Sequence, residues 1–336
     1  SCPQHGGAPA EASSHSDTGA TPVWSRPLGK CIGSGGFASV WEISGTPDVL
    51  KVAHADHDLA RARMRREAEA LAAIGAPATP RYEGSGVLDD GRAWIAMERI
   101  AGVNIADLIA AGPTPINHAI AIAAGILDAL IRVHAANFAH RDLKPDNLVR
   151  RTNGSIVILD MGLARKLPTD PDDPTRAGVQ VGSLEYIPPE QLIDAGSVDA
   201  RADLYAFGCV LYELCAGRPP FVGDAAILER AHAALRPVLL SALANVPAEL
   251  EVLCHECLAK QPARRPASAA EVAQRLRAVT NQPTLHRAQH SMSVISEGKQ
   301  PVVLLWAELP RVDRALLGML SARKITVVSQ RGRRVL

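Results

Sequence analysis

The stretch AHRDLKPDNLV (139–149) gathers a His, an Arg, two Asp, a Lys and an Asn around one Pro, and apolar residues close it on both sides. Runs of mixed charge normally lie on a solvated face. Here the run is strung between segments that belong in a core, so any fold of this chain must supply its charges with partners. Leaving a buried charge unpaired costs several kcal/mol. Asp142, Lys144 and Asn147 offer a carboxylate, an ammonium and an amide within six residues, a set suited to moving a proton, neutralising an anion and holding a cation. His140 reads as a packing residue and Arg141 as an anchor for an anion.

The bulk properties narrow the setting. A chain of 336 residues can bury one large core or two lobes with cores of their own. With 47% hydrophobic and 21% charged residues it reads as soluble and globular, and with 4% aromatics its core is aliphatic. A net charge of +1 gives no electrostatic case for nucleic acid or an anionic membrane as the main partner. The six cysteines (Cys2, Cys31, Cys209, Cys215, Cys254, Cys257) have no framework spacing, which fits a reducing, cytoplasmic setting. CHEC (254–257) is a lone C-x-x-C inside the helical pattern AELEVLCHECLAK and reads as ordinary helix cysteines rather than a metal site. No signal peptide is visible. The longest apolar run, AIAIAAGIL (119–127), ends at Asp128, too short to span a bilayer.

Residues 1–24, rich in Ser, Gly, Pro, Ala and Thr, read as a disordered tail or linker. From residue 25 to 97 strand-like runs surround one helix, predicted over 60–74, and from 98 to 280 helical patterns dominate. Polar, aperiodic residues 281–300 read as a linker. Residues 301–336 then read as strand (VVLLWAEL), helix (RVDRALLGMLSAR) and strand (ITVVS), a partial βαβ piece of an unassigned, truncated domain.

Upstream of the polar loop lies IGSGGFASVW (32–41). Gly33, Gly35 and Val40 sit where a G-x-G-x-x-G-x-V pattern places them, with Ala38 in the third glycine position. Missing side chains let backbone N–H groups approach phosphate oxygens. No G-K-[ST] follows, so this is not a Walker-type loop. Lys51 falls within the apolar strand DVLKVA and needs a counter-charge, which Glu67 offers from the 60–74 helix, on the same face as Leu71. Glu69 points elsewhere, to solvent. Downstream, SIVILDMGLAR is a strand (156–159) ending in Asp160 and a glycine turn, well placed to hold Mg²⁺ together with Asn147. Asp142 would then accept or orient the proton of an attacking hydroxyl, and Lys144 would neutralise charge on a moving phosphoryl group.

Taken in order, the glycine-rich loop, strand Lys, helix Glu, HRDLKPDN, DMG and PPE resemble the motif set of the bacterial eukaryotic-like Ser/Thr protein kinases, over about residues 28–280. The resemblance implies an α+β, two-lobed protein-kinase fold with a β-rich N-lobe and a helical C-lobe. It implies ATP and Mg²⁺ as cofactors and Ser/Thr-bearing proteins as substrates, with self-association for autophosphorylation. Ile32, Gly33, Ser34, Gly35, Gly36 and Lys51 would embrace the phosphates; Val40, Val49 and Val149 would sandwich adenine. Met97 would guard the back of that pocket, and backbone groups of Glu98 and Ile100 would bond the base. Ser183 would approach Asp142 and Lys144, Glu190 would pair with Arg265, and Asp203 would brace the catalytic loop. Phosphorylation between Asp160 and Glu190 would regulate activity through Arg141, with Thr175 first, Thr169 second and Ser183 less suited.

The departures are Ala38 for Gly, Met161 for Phe, Pro188 for Ala and Val49 for Ala. None removes a charge the chemistry needs. Two other readings stay open: a pseudokinase scaffold that binds nucleotide or partners without transfer, and a small-molecule phosphotransferase with a related loop.

Overall fold

The computed structural model describes residues 24–54, 58–112, 114–167, 183–194 and 198–281, and four strands beyond them. The chain divides into two units, Ser1–Asn281 and Gln282–Leu336.

The first unit opens with an antiparallel sheet of β1 (Leu28–Ser34), β2 (Ala38–Ile43), β3 (Asp48–Ala53), β4 (Tyr82–Val87) and β5 (Ala93–Glu98), in the order β1-β2-β3-β5-β4. Helix α1 (Asp58–Ile74) crosses between β3 and β4, two residues longer at its start than the periodicity predicts. Alternation along β3 divides its side chains between the faces. Leu50 and Val52 join Ile43, Trp94 and Ala96 on the outer face, while Ala53 joins Ile95 in the core shared with α1. Helix α1 buries Ala60, Met64, Glu67, Ala68 and Leu71, the three-four spacing of one helical face. A carboxylate on that stripe requires a cation opposite.

Trp24 departs from the sequence reading. It lies in the stretch read as a tail, yet its indole packs edge-on against Trp94 with ring centroids 5.1 Å apart and closes the outer cluster. One aromatic residue among Ser, Pro and Thr is too little pattern to announce an anchor.

The remainder is mostly helical: β6 (Val103–Asn104), α2 (Ile105–Ala110), α3 (Ile116–Ala135), β7 (Phe138–Ala139), β8 (Leu148–Arg150), β9 (Ile156–Ile158), β10 (Arg165–Lys166), α4 (Pro189–Ile193), α5 (Ala200–Ala216), α6 (Ala225–Ala234), α7 (Ala248–Cys257) and α8 (Ala269–Asn281). Helix α5 is buried nearly all round, started by the Asp199 side chain accepting from the Arg201 N–H at 2.8 Å and stopped by Gly217 in the left-handed region. Helix α3 corrects an expectation. Its 20 residues are long and apolar enough, by length and composition alone, to cross a bilayer. AIAIAAGIL is only its middle, and Asp128 does not end it because that side chain faces outward to Arg277 at 3.2 Å. The apolar stripe Ala119, Ile122, Ile126, Leu130 and Val133 is buried in the core.

Cys254 and Cys257 lie in α7 as free, buried thiols; Cys254 Sγ donates to the Gly208 carbonyl at 3.5 Å, and burial pushes the Cys257 thiol up to about 12. In the second unit, β11 (Ser291–Ile295), β12 (Val302–Glu308), β13 (Gln330–Arg331) and β14 (Arg334–Val335) form a sheet in the order β11-β12-β14-β13. β11 falls inside the stretch read as a linker: SMSV alternates polar and apolar residues before Ile295, over too few positions to register. The helix and second strand predicted after β12 lie outside the described residues.

Candidate active site

The glycine-rich segment is the β1–β2 hairpin, closed by the Gly35 N–H donating to the Ala38 carbonyl at 2.9 Å. Ile32 and Ser34 belong to β1, and Gly33 lies across from Val40. Gly33 and Gly36 have no left-handed backbone, and a Cβ at either would meet nothing within 4 Å. The hairpin itself therefore does not require glycine at either position. The bare surface they leave is the kind of cradle backbone amides present to a phosphate.

Beneath it, β3 carries Lys51 on the α1 face, paired across the sheet with Val40 and Ile95. Its ammonium lies 2.7 Å from both oxygens of Glu67 and 3.0 Å from Asp160 Oδ1. Burial lowers the Lys51 pKa, but the two carboxylates outweigh it and hold the ammonium firmly charged. For Glu67, 3% exposed, burial dominates and pushes the carboxyl upward against the pull of Lys51. Asp160 feels the same burial, yet Lys51 wins and keeps its carboxyl below the usual range. Asp160 sits in the left-handed region (φ 56°), rare for a residue with a side chain, and its carboxylate is half exposed. The next residue, Met161, is fully buried, and Gly162 donates back to Asp160 at 3.4 Å.

The polar loop spans β7 to β8, and Asp203 holds its start from below. Asp203, at the start of α5 and fully buried, accepts from the backbone N–H of His140 (2.8 Å) and Arg141 (2.9 Å) and from His134 Nε2 (2.8 Å). Burial pushes the Asp203 carboxyl up; the His134 bond and the loop's donors outweigh it and hold the carboxyl below its ordinary value. Arg141 is left-handed (φ 69°), with its N–H held by Asp203 and its carbonyl by Gln191 at 3.1 Å. His140, buried, accepts the Asp142 N–H at Nδ1 (3.3 Å) and donates from Nε2 to the Leu159 carbonyl (3.1 Å), so it fixes the loop as well as packing.

On this frame Asp142 Oδ1 accepts the Ser183 N–H at 2.9 Å, and Lys144 reaches Ser183 Oγ at 2.7 Å and Asp142 Oδ2 at 3.4 Å. Asn147 spends its Nδ2 on the Asp142 carbonyl at 2.9 Å, which leaves its carbonyl oxygen, a hard donor, for a cation. The Leu159 N–H donates to the backbone carbonyl of Asn147 at 2.7 Å and so joins this loop to the strand before Asp160. Arg265 forks onto Glu190 at 2.6 and 2.7 Å.

At the end of β5, Met97 lies opposite Val49 on β3, and Val149 on β8 is buried. The Glu98 N–H is committed to the Arg81 carbonyl at 2.9 Å, and its side chain to Arg151 at 2.8 Å. Ile100 follows, outside regular structure. Gly102 is required by close approach, since a Cβ there would lie 2.3 Å from the Arg150 carbonyl. Thr169 and Thr175 lie outside the described residues.

Residues 27–276 match the model of the protein kinase domain. The chain belongs to the protein kinase family. It is 35% identical over 260 residues to the serine/threonine-protein kinase PknB of Mycolicibacterium smegmatis, covering 73% of this chain and 41% of that one. To the PknB of Mycobacterium leprae it is 34% identical over 272 residues, covering 76% and 43%. The chain thus spans less than half the length of these curated relatives. The sheet-rich lobe and helical lobe are those of the family, and the predicted α+β two-lobed architecture holds. Sequence reasoning missed His134 and Gln191, which secure the catalytic loop from α3 and α4. Each depends on which helices pack together, and neither stands in a local motif.

Proposed function

We propose that this kinase domain transfers the γ-phosphoryl group of ATP to serine and threonine hydroxyls of proteins, its own chain included, in signalling. The observation that carries this reading is a pair of adjoining clusters, Lys51 between Glu67 and Asp160, and Asp142 bonded with Lys144, Asn147 and Ser183, tied by the backbone bond from Leu159 to Asn147. In this reading Ile32 to Gly36 cover the phosphates, Lys51 holds them by charge, and Val40, Val49, Val149 and Met97 line the adenine pocket. The Glu98 carbonyl and Ile100 backbone bond the base. Asp160 and the Asn147 oxygen would hold Mg²⁺, which when bound supplies charge neutralisation at the phosphate oxygens.

Asp142 orients the acceptor hydroxyl and takes its proton as the oxygen–phosphorus bond forms and the bond to ADP breaks. Lys144 offsets charge on the transferring group. Ser183, already bonded to both, is poorly placed to carry a regulatory phosphate; Thr175 and then Thr169 are the proposed sites, with Arg141 as anchor. Free buried thiols fit work in a reducing compartment. Lys51, Asp142 and Asp160, the charges that pseudokinases usually lose, are all present.

The test is incubation of the chain with γ-labelled ATP, Mg²⁺ and a serine- and threonine-containing carrier protein, followed by acid hydrolysis. Labelled phosphoserine and phosphothreonine are expected. Label found only in phosphotyrosine, or none in protein, contradicts the reading.

A further inference from the structure

The glycine-rich hairpin ends in an exposed aromatic. Phe37, at its tip, is 48% exposed. Across from it stands Arg63 of α1, whose guanidinium carbon lies 3.7 Å from the centre of the Phe37 ring, a cation–π stack. Arg63 is four residues before Glu67, one helical turn along the same face, so the helix that holds Lys51 also reaches the loop above it. Burial and the neighbouring charge of Arg66 lower the Arg63 pKa, while the carboxylates of Asp160 and Asp142 oppose them. Its positive charge therefore lies at the mouth of the cleft. A second tie holds the hairpin from the opposite side, where the His54 N–H donates to the Phe37 carbonyl at 2.9 Å and His54 Nε2 bonds Ser39 Oγ at 2.8 Å.

We propose that Arg63 and Phe37 form a latch between α1 and the glycine-rich loop, making Arg63 a positioning residue that holds the loop tip down over the nucleotide's phosphates. The inference rests on the nucleotide-binding reading above and deepens it. Helix α1 then couples two events: the face that presents Glu67 to Lys51 also closes the loop, so displacement of α1 loosens the grip on phosphate at both places. Gly36, next to Phe37, lets the tip lie close to its ligand, and the aromatic ring gives Arg63 something to press on without a charge pair that phosphate would compete away.

The latch acts on phosphates and leaves adenine alone, which separates it from a general packing role. Calorimetric titration of the full chain with Mg-ATP and with adenosine, for wild type, Arg63→Ala, Arg63→Lys, Phe37→Ala and the Arg63→Ala/Phe37→Ala pair, tests it. An exposed cation–π contact is worth about a two- to fivefold change in affinity. Each alanine variant should weaken ATP by about that factor and leave adenosine unchanged. Arg63→Lys should retain most of the affinity, and the double variant should be no weaker than the worse single. Phe37 is exposed, so its variant folds whatever happens at Arg63. Equal loss for ATP and adenosine, fully multiplicative losses in the double variant, or unchanged ATP affinity in Phe37→Ala would each overturn the latch. Wild type that binds adenosine and ATP equally would instead overturn the phosphate-cradle reading beneath it, and the latch with it.

Discussion

Lys51 is held by two carboxylates of opposite character: Glu67 is buried and Asp160 is half exposed. The difference separates what their variants should do. Asp160→Asn removes a charge that faces the cleft, so folding should survive while phosphoryl transfer falls on the order of 10² to 10³ or more. Lys51→Met removes the same reactivity but also leaves Glu67 buried without its cation. Breaking a buried pair from one side costs about 3–5 kcal/mol. Chemical denaturation should show Lys51→Met clearly less stable than Asp160→Asn, and Lys51→Met/Glu67→Gln should recover stability but no activity. Equal stability of the two single variants would mean Glu67 is better solvated than its surroundings indicate.

Among elements, the β1–β2 hairpin and the α5–α6 contact make separate claims. Because Gly36 needs neither a left-handed backbone nor the space of its missing side chain, Gly36→Ala should leave thermal stability unchanged or raise it by about 0.5 kcal/mol. The KM for ATP should nonetheless rise, by about tenfold if the methyl displaces phosphate at a cost of ~1.4 kcal/mol. A lowered melting temperature with unchanged KM would assign the glycine to folding.

In α6, His232 is fully buried, bonded to the Tyr205 hydroxyl at 2.9 Å and packed against Phe221, and burial pulls its pKa from 6.5 to about 4. The unfolded chain therefore takes up a proton at His232 that the folded chain refuses. Its contribution is intact above about pH 6.5 and is lost as pH falls toward 4, about 2 kcal/mol by pH 5. Urea unfolding at about pH 7.5 and pH 5 should show that loss in wild type and a correspondingly smaller one in His232→Gln. Parallel losses would mean the imidazole reaches water.

At the scale of the whole molecule, what could be read from the sequence is what chemistry forces into short motifs. A lysine in an apolar strand demanded an acid, and Glu67 stood on the stripe of α1 that must be buried; Asp142, Lys144 and Asn147 came in one loop because one loop must hold them. Partnerships across the fold left no such mark. His134 on α3, Gln191 on α4 and Arg63 against Phe37 meet only because helices and sheet pack in a particular way. Trp24 and strand β11 were overlooked because one residue and five residues make too short a pattern.

Trp24 also shifts a boundary. A chain of residues 23–281 should keep full melting temperature and activity, whereas one starting at residue 26 loses the contact with Trp94, worth about 1 kcal/mol. Indistinguishable melting of the two would make Trp24 dispensable. The account as a whole stands on Asp142 receiving a proton at the moment of transfer. Single-turnover transfer from γ-labelled ATP, comparing wild type with Asp142→Asn at matched nucleotide affinity, tests that directly. Label should pass to protein in wild type and fall by a factor of at least about 10² in the variant; transfer at the wild-type rate by a folded Asp142→Asn protein would contradict it.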